Sequence, residues 1–181
     1  MPADRFVFVD RDGTLVEDAG FVHRIEDYAP LPGAVDGLRL LLDGGYRIAI
    51  VTNQSGIGRG LFSEAQYRAF DAHLRRDFEA QGAPITASFY CPHTAEDDCG
   101  CRKPATGMLE RAAQELGANL QQSFVVGDKP SDMQLAARAG CQGVYVLTGQ
   151  GQALRQELEP EVPVRADLQD AALHILRSET R

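Results

Sequence analysis

Short apolar runs alternate along the chain with longer stretches in which apolar residues recur at helical spacing. The apolar runs predict five β-strands, at residues 6–10, 47–52, 87–90, 123–126 and 143–147. The stretches between them predict the connecting helices. Because strands and helices alternate, we expect an α/β fold in which a doubly wound parallel sheet is covered by crossover helices.

Capping residues mark the ends of the predicted helices. Ser63, with Gln66 three residues later, forms a capping-box pattern and predicts a helix that runs to about Ala80. Ser131 and Asp167 are the expected N-caps of two later helices. Three helices are expected to end at glycines, namely Gly44, Gly117 and Gly140.

The composition is that of a folded globular protein, with 44% hydrophobic and 24% charged residues. The 181 residues suit one domain, 1–181, and 18 Lys and Arg against 26 Asp and Glu give a net charge of −8. This acidic balance disfavours binding to nucleic acid or to an anionic membrane. No apolar run approaches the roughly 20 residues of a membrane-spanning helix and no export signal is recognisable, so we expect a cytoplasmic location. We also expect the protein to be a monomer.

Polar side chains follow four of the predicted strands. In chain order they are Asp10 and Asp12, then Thr52 and Asn53, then Lys103, then Asp128 and Asp132. A turn or a solvated loop would explain any one of these groups alone. However, the carboxyl ends of parallel strands meet at one edge of a sheet, so we expect the groups to converge. Together they supply a nucleophile, neutralising charge and a magnesium site, which are the parts that phosphoryl transfer needs.

A second cluster lies within eleven positions and consists of Cys91, His93, Cys99 and Cys101. Disulfides are not expected in a reducing compartment, and this spacing predicts a tetrahedral Cys₃His zinc site with a structural role. Cys141 has no such neighbours and is predicted to be a core residue. Cys101 directly precedes Arg102 and Lys103, so zinc would hold the loop 91–103 that carries both cations.

The order Asp-x-Asp-Gly-Thr, Thr-Asn, Lys-Pro and Gly-Asp-x-x-x-Asp resembles the four motifs of the haloacid dehalogenase superfamily of aspartyl phosphatases, over nearly the whole chain. Arg11, together with Phe21-Val22-His23, Thr52-Asn53-Gln54-Ser55-Gly56-Ile57 and Arg59-Gly60, narrows the resemblance to bacterial sugar bisphosphate phosphatases. The five residues between His93 and Cys99 also resemble the histidinol-phosphate phosphatases. About forty residues separate Asp10 from Thr52, and a helix and a strand take up half of them, so we expect no separate cap domain.

The resemblance implies a Mg²⁺-dependent reaction on a small phosphorylated sugar. Asp10 would be the nucleophile, and Asp12 would act first as general acid and then as general base. Mg²⁺ would be held by Asp10, the backbone carbonyl of Asp12, and Asp128. Thr52 and Lys103 would hold the phosphoryl oxygens, and Asp132 would order the waters of the metal or Lys103.

Substrate contacts are expected from a flap at about residues 13–33 and from the second strand end. The residues that the resemblance assigns to the sugar or its phosphates are Asp18, Ala19, Gly20, Phe21, Asn53, Gln54 and Ser55. Arg102 and Lys129 are the candidates for a distal phosphate, because a guanidinium fork matches phosphate oxygens.

Three functions therefore remain open. The first is a sugar bisphosphate phosphatase, and the second is a histidinol-phosphate phosphatase with the same chemistry. The third belongs to another class: a phospho-accepting receiver module also uses Asp, Thr, Lys and Mg²⁺ on a doubly wound sheet. Receivers carry the acceptor on the third strand, whereas Asp10 ends the first and has Asp12 beside it, which favours an enzyme.

Overall fold

The computed structural model describes residues 4–178, which form a six-stranded parallel sheet with helices on both faces. The strand order β3-β2-β1-β4-β5-β6 places β1 near the middle, and the winding reverses between β1 and β4. In such sheets ligands bind beyond the carboxyl ends of the strands at this reversal. The strands are β1 (Phe6–Val9), β2 (Arg47–Asn53), β3 (Ala87–Cys91), β4 (Phe124–Gly127), β5 (Gln142–Val146) and β6 (Val164–Arg165).

The prediction of five strands was wrong, because β6 adds a sixth strand at the edge beside β5. Strand β6 contains two residues, Val164 and Arg165. A strand this short does not display the alternation of apolar and polar positions by which strands are recognised. The five predicted strands are present, with boundaries that differ from the expected ones by one residue.

Helices fill the crossovers between the strands. They are α1 (Ala34–Asp43), α2 (Ser55–Gly58), α3 (Glu64–Ala80), α4 (Gly107–Leu116), α5 (Pro130–Ala139), α6 (Gly151–Leu154) and α7 (Leu168–Ser178). Short 3₁₀ turns lie at Ile25–Asp27, Ala95–Asp97, Leu120–Gln122 and Arg155–Glu157. Across residues 4–178, none of the helices combines the length and apolar character needed to cross a membrane.

Most of the predicted helix caps are confirmed. The Ser63 hydroxyl accepts from the Gln66 N–H at 3.1 Å, and the Gln66 side chain accepts from the Ser63 N–H at 2.8 Å, so both halves of the capping box of α3 are present. At the start of α7, the Asp167 carboxylate accepts from the Asp170 N–H at 2.9 Å. The C-cap positions of α1, α4 and α5 are occupied by Gly44, Gly117 and Gly140.

The prediction that Ser131 caps α5 was wrong. The helix begins at Pro130, and its N-cap is Lys129, two residues before the expected one. The carboxylate of Asp132, within the first turn, accepts from the Lys129 N–H at 3.1 Å. Proline suits the first helical position because the N–H that it lacks would have no helical partner there.

Alternate residues of β1 enter two hydrophobic cores on opposite faces of the sheet. Val7 and Val9 pack with residues of α1, α3 and α7, while Phe6 and Phe8 pack with residues of α4 and α5. All four side chains are fully buried. A parallel sheet covered on both faces explains why its strands are continuous apolar runs and leaves their ends as the places for polar chemistry.

The two ends of the sheet differ. At the amino ends of the strands, a cleft of about 610 Å³ is lined by residues near both ends of the described chain, among them Arg5 and Ser178. At the carboxyl ends, the loop after β1 folds back as the flap, and isolated bridges join Val16 to Asp12 and to Pro30. The polar residues predicted to carry chemistry lie at this second end.

Candidate active site

Three buried charged side chains form the centre of the site. The ammonium of Lys103 donates to Oδ1 of Asp10 and to Oδ1 of Asp132, each at 2.7 Å, and to the Val51 carbonyl at 3.0 Å. All three charged side chains are at most 5% exposed. Asp10 follows β1, Lys103 lies in the loop after β3, and Asp132 lies in the first turn of α5. The fold therefore brings together residues that are far apart in the sequence.

A further carboxylate, Asp128, follows β4. Its Oδ2 accepts from the Gln150 N–H at 2.8 Å, whereas its buried Oδ1 has no hydrogen-bond partner. Asp10, Asp128 and Asp132 each offer an oxygen, and these three oxygens lie within 4.8 Å of one another. An unpartnered buried carboxylate oxygen is costly, and carboxylates are ligands that Mg²⁺ prefers, so this donor set fits a hard divalent cation.

The carboxylates of this group differ in how many of their oxygens are already engaged. Asp132 uses Oδ1 for Lys103 and Oδ2 for the N–H of Lys129. Asp132 is therefore arranged to hold the Lys103 ammonium rather than to ligate a metal ion. Asp10 and Asp128 are the two carboxylates of the group that are best disposed to ligate the metal.

Electrostatics keep the centre charged in spite of its burial. Burial opposes ionisation of Asp10, but the nearby ammonium groups of Lys103 and Lys129 outweigh it and hold the pKa of Asp10 below its usual value. Burial also opposes the charge on Lys103, yet Asp10 and Asp132 outweigh it and raise the Lys103 pKa to about 12. Burial, and then the charge of Asp10, raise the pKa of Asp128 to about 8. The ammonium of Lys129 opposes this rise but does not outweigh burial and the charge of Asp10.

Asp12 is held by two neighbouring side chains. Arg11 donates through Nε to Oδ1 at 2.8 Å and through Nη2 to Oδ2 at 2.9 Å. Gln54 donates through the same Nε2 to Oδ2 of Asp12 at 3.1 Å and to the Thr52 hydroxyl at 2.9 Å. Burial raises the pKa of Asp12 above its usual value although the charge of Arg11 opposes this. The end of β2 is thereby linked to the end of β1.

Asn53 hydrogen-bonds to the backbone of Lys103, the residue whose ammonium contacts Asp10. Its Oδ1 accepts from the Lys103 N–H at 2.9 Å, and its Nδ2 donates to the Lys103 carbonyl at 3.3 Å. Asn53 lines the cleft as expected, but its amide group is engaged with this loop.

The Cys/His cluster has the dimensions of a metal site. The Sγ of Cys91 lies 3.5 Å from Nδ1 of His93 and 3.5 Å from Sγ of Cys99. The Sγ of Cys101 lies 3.3 Å from Nδ1 of His93 and 3.6 Å from Sγ of Cys99. All of these cysteines are free thiols. A tetrahedral zinc with Zn–S bonds of about 2.3 Å has sulfur–sulfur edges of about 3.8 Å, close to these separations.

Backbone hydrogen bonds tie this cluster to the active centre. The Cys91 carbonyl accepts from the Gln54 N–H at 2.7 Å, and the Pro92 carbonyl accepts from the Gly58 N–H at 2.9 Å. Burial opposes ionisation of Cys99, but hydrogen bonds from the N–H groups of Cys101 and Arg102 outweigh it and lower the pKa of Cys99 to about 6. A thiolate therefore forms readily within the loop that carries Lys103.

A cleft of about 420 Å³ opens over the centre. Of its twelve lining residues, ten are among the predicted site residues: Asp12, Asp18, Gly20, Phe21, Asn53, Gln54, Ser55, Arg102, Lys103 and Lys129. Ala19 was expected beside them but is exposed and does not line the cleft. The structure thus gathers nearly all of the residues assigned to the substrate around one opening.

Two residues of the cleft, Ser131 and Gln150, were missed from the sequence. Gln150 donates its backbone N–H to Asp128, and its Nε2 donates to Oδ2 of Asp18 at 3.3 Å. Lys129 donates to the same Asp18 oxygen at 3.2 Å, so these contacts join the flap to the loops after β4 and β5. Gln150 could have been predicted from its position shortly after the fifth strand, because ligands bind beyond the carboxyl ends of the strands in such sheets.

Comparisons with known proteins agree with this geometry. A HAD-hydrolase-like family model matches residues 100–171. A probable D-glycero-D-manno-heptose-1,7-bisphosphate 7-phosphatase of Thermoplasma volcanium is 44% identical, over 68% of this chain and 84% of that protein. A D-glycero-beta-D-manno-heptose-1,7-bisphosphate 7-phosphatase of Neisseria meningitidis is 33% identical, over 93% of this chain and 91% of that protein.

The sheet and its loops also match a solved structure with ligands. The D,D-heptose 1,7-bisphosphate phosphatase of B. bronchiseptica, crystallised with magnesium and phosphate, superimposes with a TM-score of 0.89 at 33% identity. The match covers 96% of this chain and 99% of that one.

The sheet order and the strand-end carboxylates define a hydrolase of the haloacid dehalogenase class. The receiver alternative is excluded, because receivers have the flavodoxin-like order 2-1-3-4-5 rather than the order found here. With relatives at this identity over most of its length, the chain belongs to the D-glycero-D-manno-heptose-1,7-bisphosphate 7-phosphatase family and is a phosphatase.

Proposed function

We propose that the chain is a Mg²⁺-dependent phosphatase that removes the 7-phosphate of D-glycero-D-manno-heptose 1,7-bisphosphate. The observation that carries the proposal is the Asp10–Lys103 pair at the base of the cleft, next to Asp128 with its unpartnered oxygen. The names of the relatives support the substrate. The chain would act as a cytoplasmic monomer in the synthesis of nucleotide-activated heptose for lipopolysaccharide.

Asp10 attacks the phosphorus in line, the P–O bond to the sugar breaks, and an aspartyl phosphate forms on Asp10. Lys103 and Lys129 keep the Asp10 carboxylate ionised for this attack. Asp10, the backbone carbonyl of Asp12, and Asp128 would hold Mg²⁺, whose positive charge would offset the repulsion between carboxylate and phosphate.

Asp12 gives a proton to the departing sugar oxygen and then takes one from the water that hydrolyses the aspartyl phosphate. An alkoxide is a poor leaving group until it is protonated, and proton transfer of this kind contributes roughly 10²–10⁴-fold to the rate. The position of Asp12 two residues after Asp10, with its carboxylate lining the cleft, supports this role.

Thr52 and Lys103 bind the oxygens of the phosphoryl group as it transfers. Both are buried, so their hydroxyl and ammonium donors act where water does not compete. Asp132 holds Lys103 in place through the 2.7 Å ion pair. Asn53 fixes the backbone of the same lysine, so two neighbours orient one cation.

Arg102 binds the second phosphate at the far side of the cleft. Lys129 is also a cleft cation, but its charge acts on Asp10 and Asp128, and it pairs with Asp18 of the flap. We therefore assign Lys129 to the region between the two phosphates, with the flap residues around Asp18 and Phe21 against the sugar.

Cys91, His93, Cys99 and Cys101 would hold Zn²⁺ in a structural role. They offer four soft ligand atoms within 4.8 Å of one another, which would satisfy a four-coordinate zinc without a substrate ligand. Arg102 and Lys103 directly follow the last ligand, so the metal would limit the motion of both.

The test compares kcat/KM for the α and β anomers of heptose 1,7-bisphosphate with kcat/KM for histidinol phosphate, each with Mg²⁺ and with excess chelator. We expect one heptose anomer to be the preferred substrate and chelator to abolish phosphate release. A higher kcat/KM for histidinol phosphate would replace the proposed substrate by the second candidate, and no release from any of them would reject the proposal.

A further inference from the structure

Arg11 is a fully buried arginine whose guanidinium contacts the Asp12 carboxylate. Because it has no exposed surface, it does not contact a substrate in the cleft. A buried guanidinium is costly unless its charge and its donors are compensated, so its partners indicate why it is there.

The partners of Arg11 are the Asp12 carboxylate and the flap. Nε and Nη2 donate to the two oxygens of Asp12 at 2.8 and 2.9 Å, which is the bidentate geometry of an arginine fork on a carboxylate. Nη2 also donates to the backbone carbonyl of Val22 at 2.6 Å. One nitrogen therefore connects Asp12 to the segment that folds over the cleft.

Aromatic rings hold the guanidinium in this position. It lies over the ring of Phe70, with its central carbon 4.7 Å from the ring centroid, and 5.8 Å from that of Tyr67. Both rings belong to α3 and are fully buried or nearly so. A helix of the core thus fixes the fork, and the fork fixes the plane of the carboxylate.

We propose that Arg11 is a positioning residue that orients the Asp12 carboxylate toward the leaving-group oxygen and ties this orientation to the flap through Val22. The inference rests on the proposed function, since it requires that Asp12 protonates the departing alcohol. Lysine at this position keeps the charge but has a single nitrogen, so it cannot hold both carboxylate oxygens in one plane.

The test uses Arg11→Lys and two classes of phosphate ester in the first turnover. An alkyl phosphate needs a proton on its leaving oxygen, whereas 4-nitrophenyl phosphate leaves as a stable phenolate and does not. We expect alkyl phosphate cleavage in the first turnover to fall about 30-fold, since misplacing a reacting group by about 1 Å can cost up to 10²-fold. The burst of 4-nitrophenolate should stay within about threefold of the unmodified protein.

Asp12→Asn supplies the coupled control. In that background the leaving group receives no proton, so adding Arg11→Lys should reduce alkyl phosphate cleavage by less than about twofold. An Arg11→Lys loss that is equal for both esters, or that persists in full with Asp12→Asn, would overturn the inference and indicate a role in folding alone.

A second variant covers the case in which Arg11→Lys does not fold. Phe70→Leu removes the flat face beneath the guanidinium and should lower alkyl phosphate cleavage about threefold with the aryl burst unchanged. Phe78→Leu changes a buried phenylalanine two turns further along α3 and should show no preference between the esters. If Phe70→Leu behaves like Phe78→Leu, the inference fails. Failure of the proposed function can be told apart from failure of this inference, because the unmodified protein would then release no phosphate from the alkyl ester.

Discussion

The strand-end carboxylate site and the Cys/His loop are adjacent, but they are constructed in opposite ways. The first draws its residues from four strand ends spread between Asp10 and Asp132, and its charged groups are almost completely buried. The second takes its four ligands from positions 91–101, and three of them are only partly buried.

This difference separates two sources of rigidity. The packed sheet holds the strand-end residues, so most of that geometry exists before any metal binds. The Cys/His loop takes all its ligands from one short segment, so we expect its shape to depend on the ion that its soft ligands fit. We expect changes in the first site to remove the chemistry, and changes in the second to loosen residues that the chemistry needs.

The largest expected effect tests the centre of the strand-end site. Asp10→Asn removes the nucleophile, so we expect kcat to fall by at least about 10⁴-fold and no phosphoenzyme to form. Phosphate release and acid-quenched labelling measure the two quantities. Asp36→Asn, on the exposed face of α1, should leave both unchanged. Substantial turnover by Asp10→Asn would refute the assignment of the nucleophile.

The next effect tests whether this site depends on packing as well as charge. A Cβ at Gly149 would lie 2.3 Å from Oδ2 of Asp128 and 2.4 Å from Cα of Gly13. Gly149→Ala should therefore displace Asp128 and lower kcat about 10²-fold, with weaker Mg²⁺ binding by titration calorimetry. Gly117→Ala is the matched control, because Gly117 also has positive φ but no neighbour within 4 Å. Equal effects of the two variants would show that backbone strain, not the contact, is responsible.

A smaller effect tests the second region. Cys101→Ser removes one soft ligand, and we expect zinc content by mass spectrometry to fall and kcat to drop about tenfold because Lys103 becomes mobile. Mg²⁺ affinity should change little. Cys141→Ser, a thiol outside the cluster, should keep both zinc and activity. Full activity in a zinc-free Cys101→Ser sample would mean that the sheet alone positions Lys103.

The smallest effect lies where the two regions meet. Arg102→Ala should raise KM for a bisphosphate about fivefold with kcat nearly unchanged, since a solvent-accessible ion pair contributes up to about 1 kcal/mol. A monophosphate should show no change. Arg111→Ala, an exposed arginine paired with Glu115 on α4, serves as the control. A fall in kcat instead of a rise in KM would place Arg102 at the transferring phosphate.

Much of this arrangement was predictable, for reasons that differ between the regions. The Cys/His ligands are local, so their spacing alone indicated a metal site. The strand-end residues are distant, but periodicity predicted the strands, and parallel strands bring their carboxyl ends together. Helix α3 was predicted closely because Ser63 and Gln66 are a local signal that tertiary packing did not override.

Other features needed the structure because their causes are not local. Ser131 has a side chain suited to an N-cap, yet the Asp132 carboxylate accepts from the N–H of the actual N-cap, Lys129. The same carboxylate pairs with Lys103, which lies 29 residues away in the sequence. Gln150 contacts the site through its backbone N–H, a group that every residue except proline possesses. A resemblance drew attention to Arg11, but its burial behind Asp12 depends on how α3 packs.

The cleft at the amino ends of the strands offers a place to attach the protein to a support or a label. Arg5 and Ser178, near the two ends of the described chain, line the same cleft at the amino ends of the strands, while the site opens at the carboxyl ends. A bead, a fluorescent label or a fused domain joined near either residue would stand on the far side from the catalytic opening. The catalytic opening would then face away from the attachment and stay open to substrate.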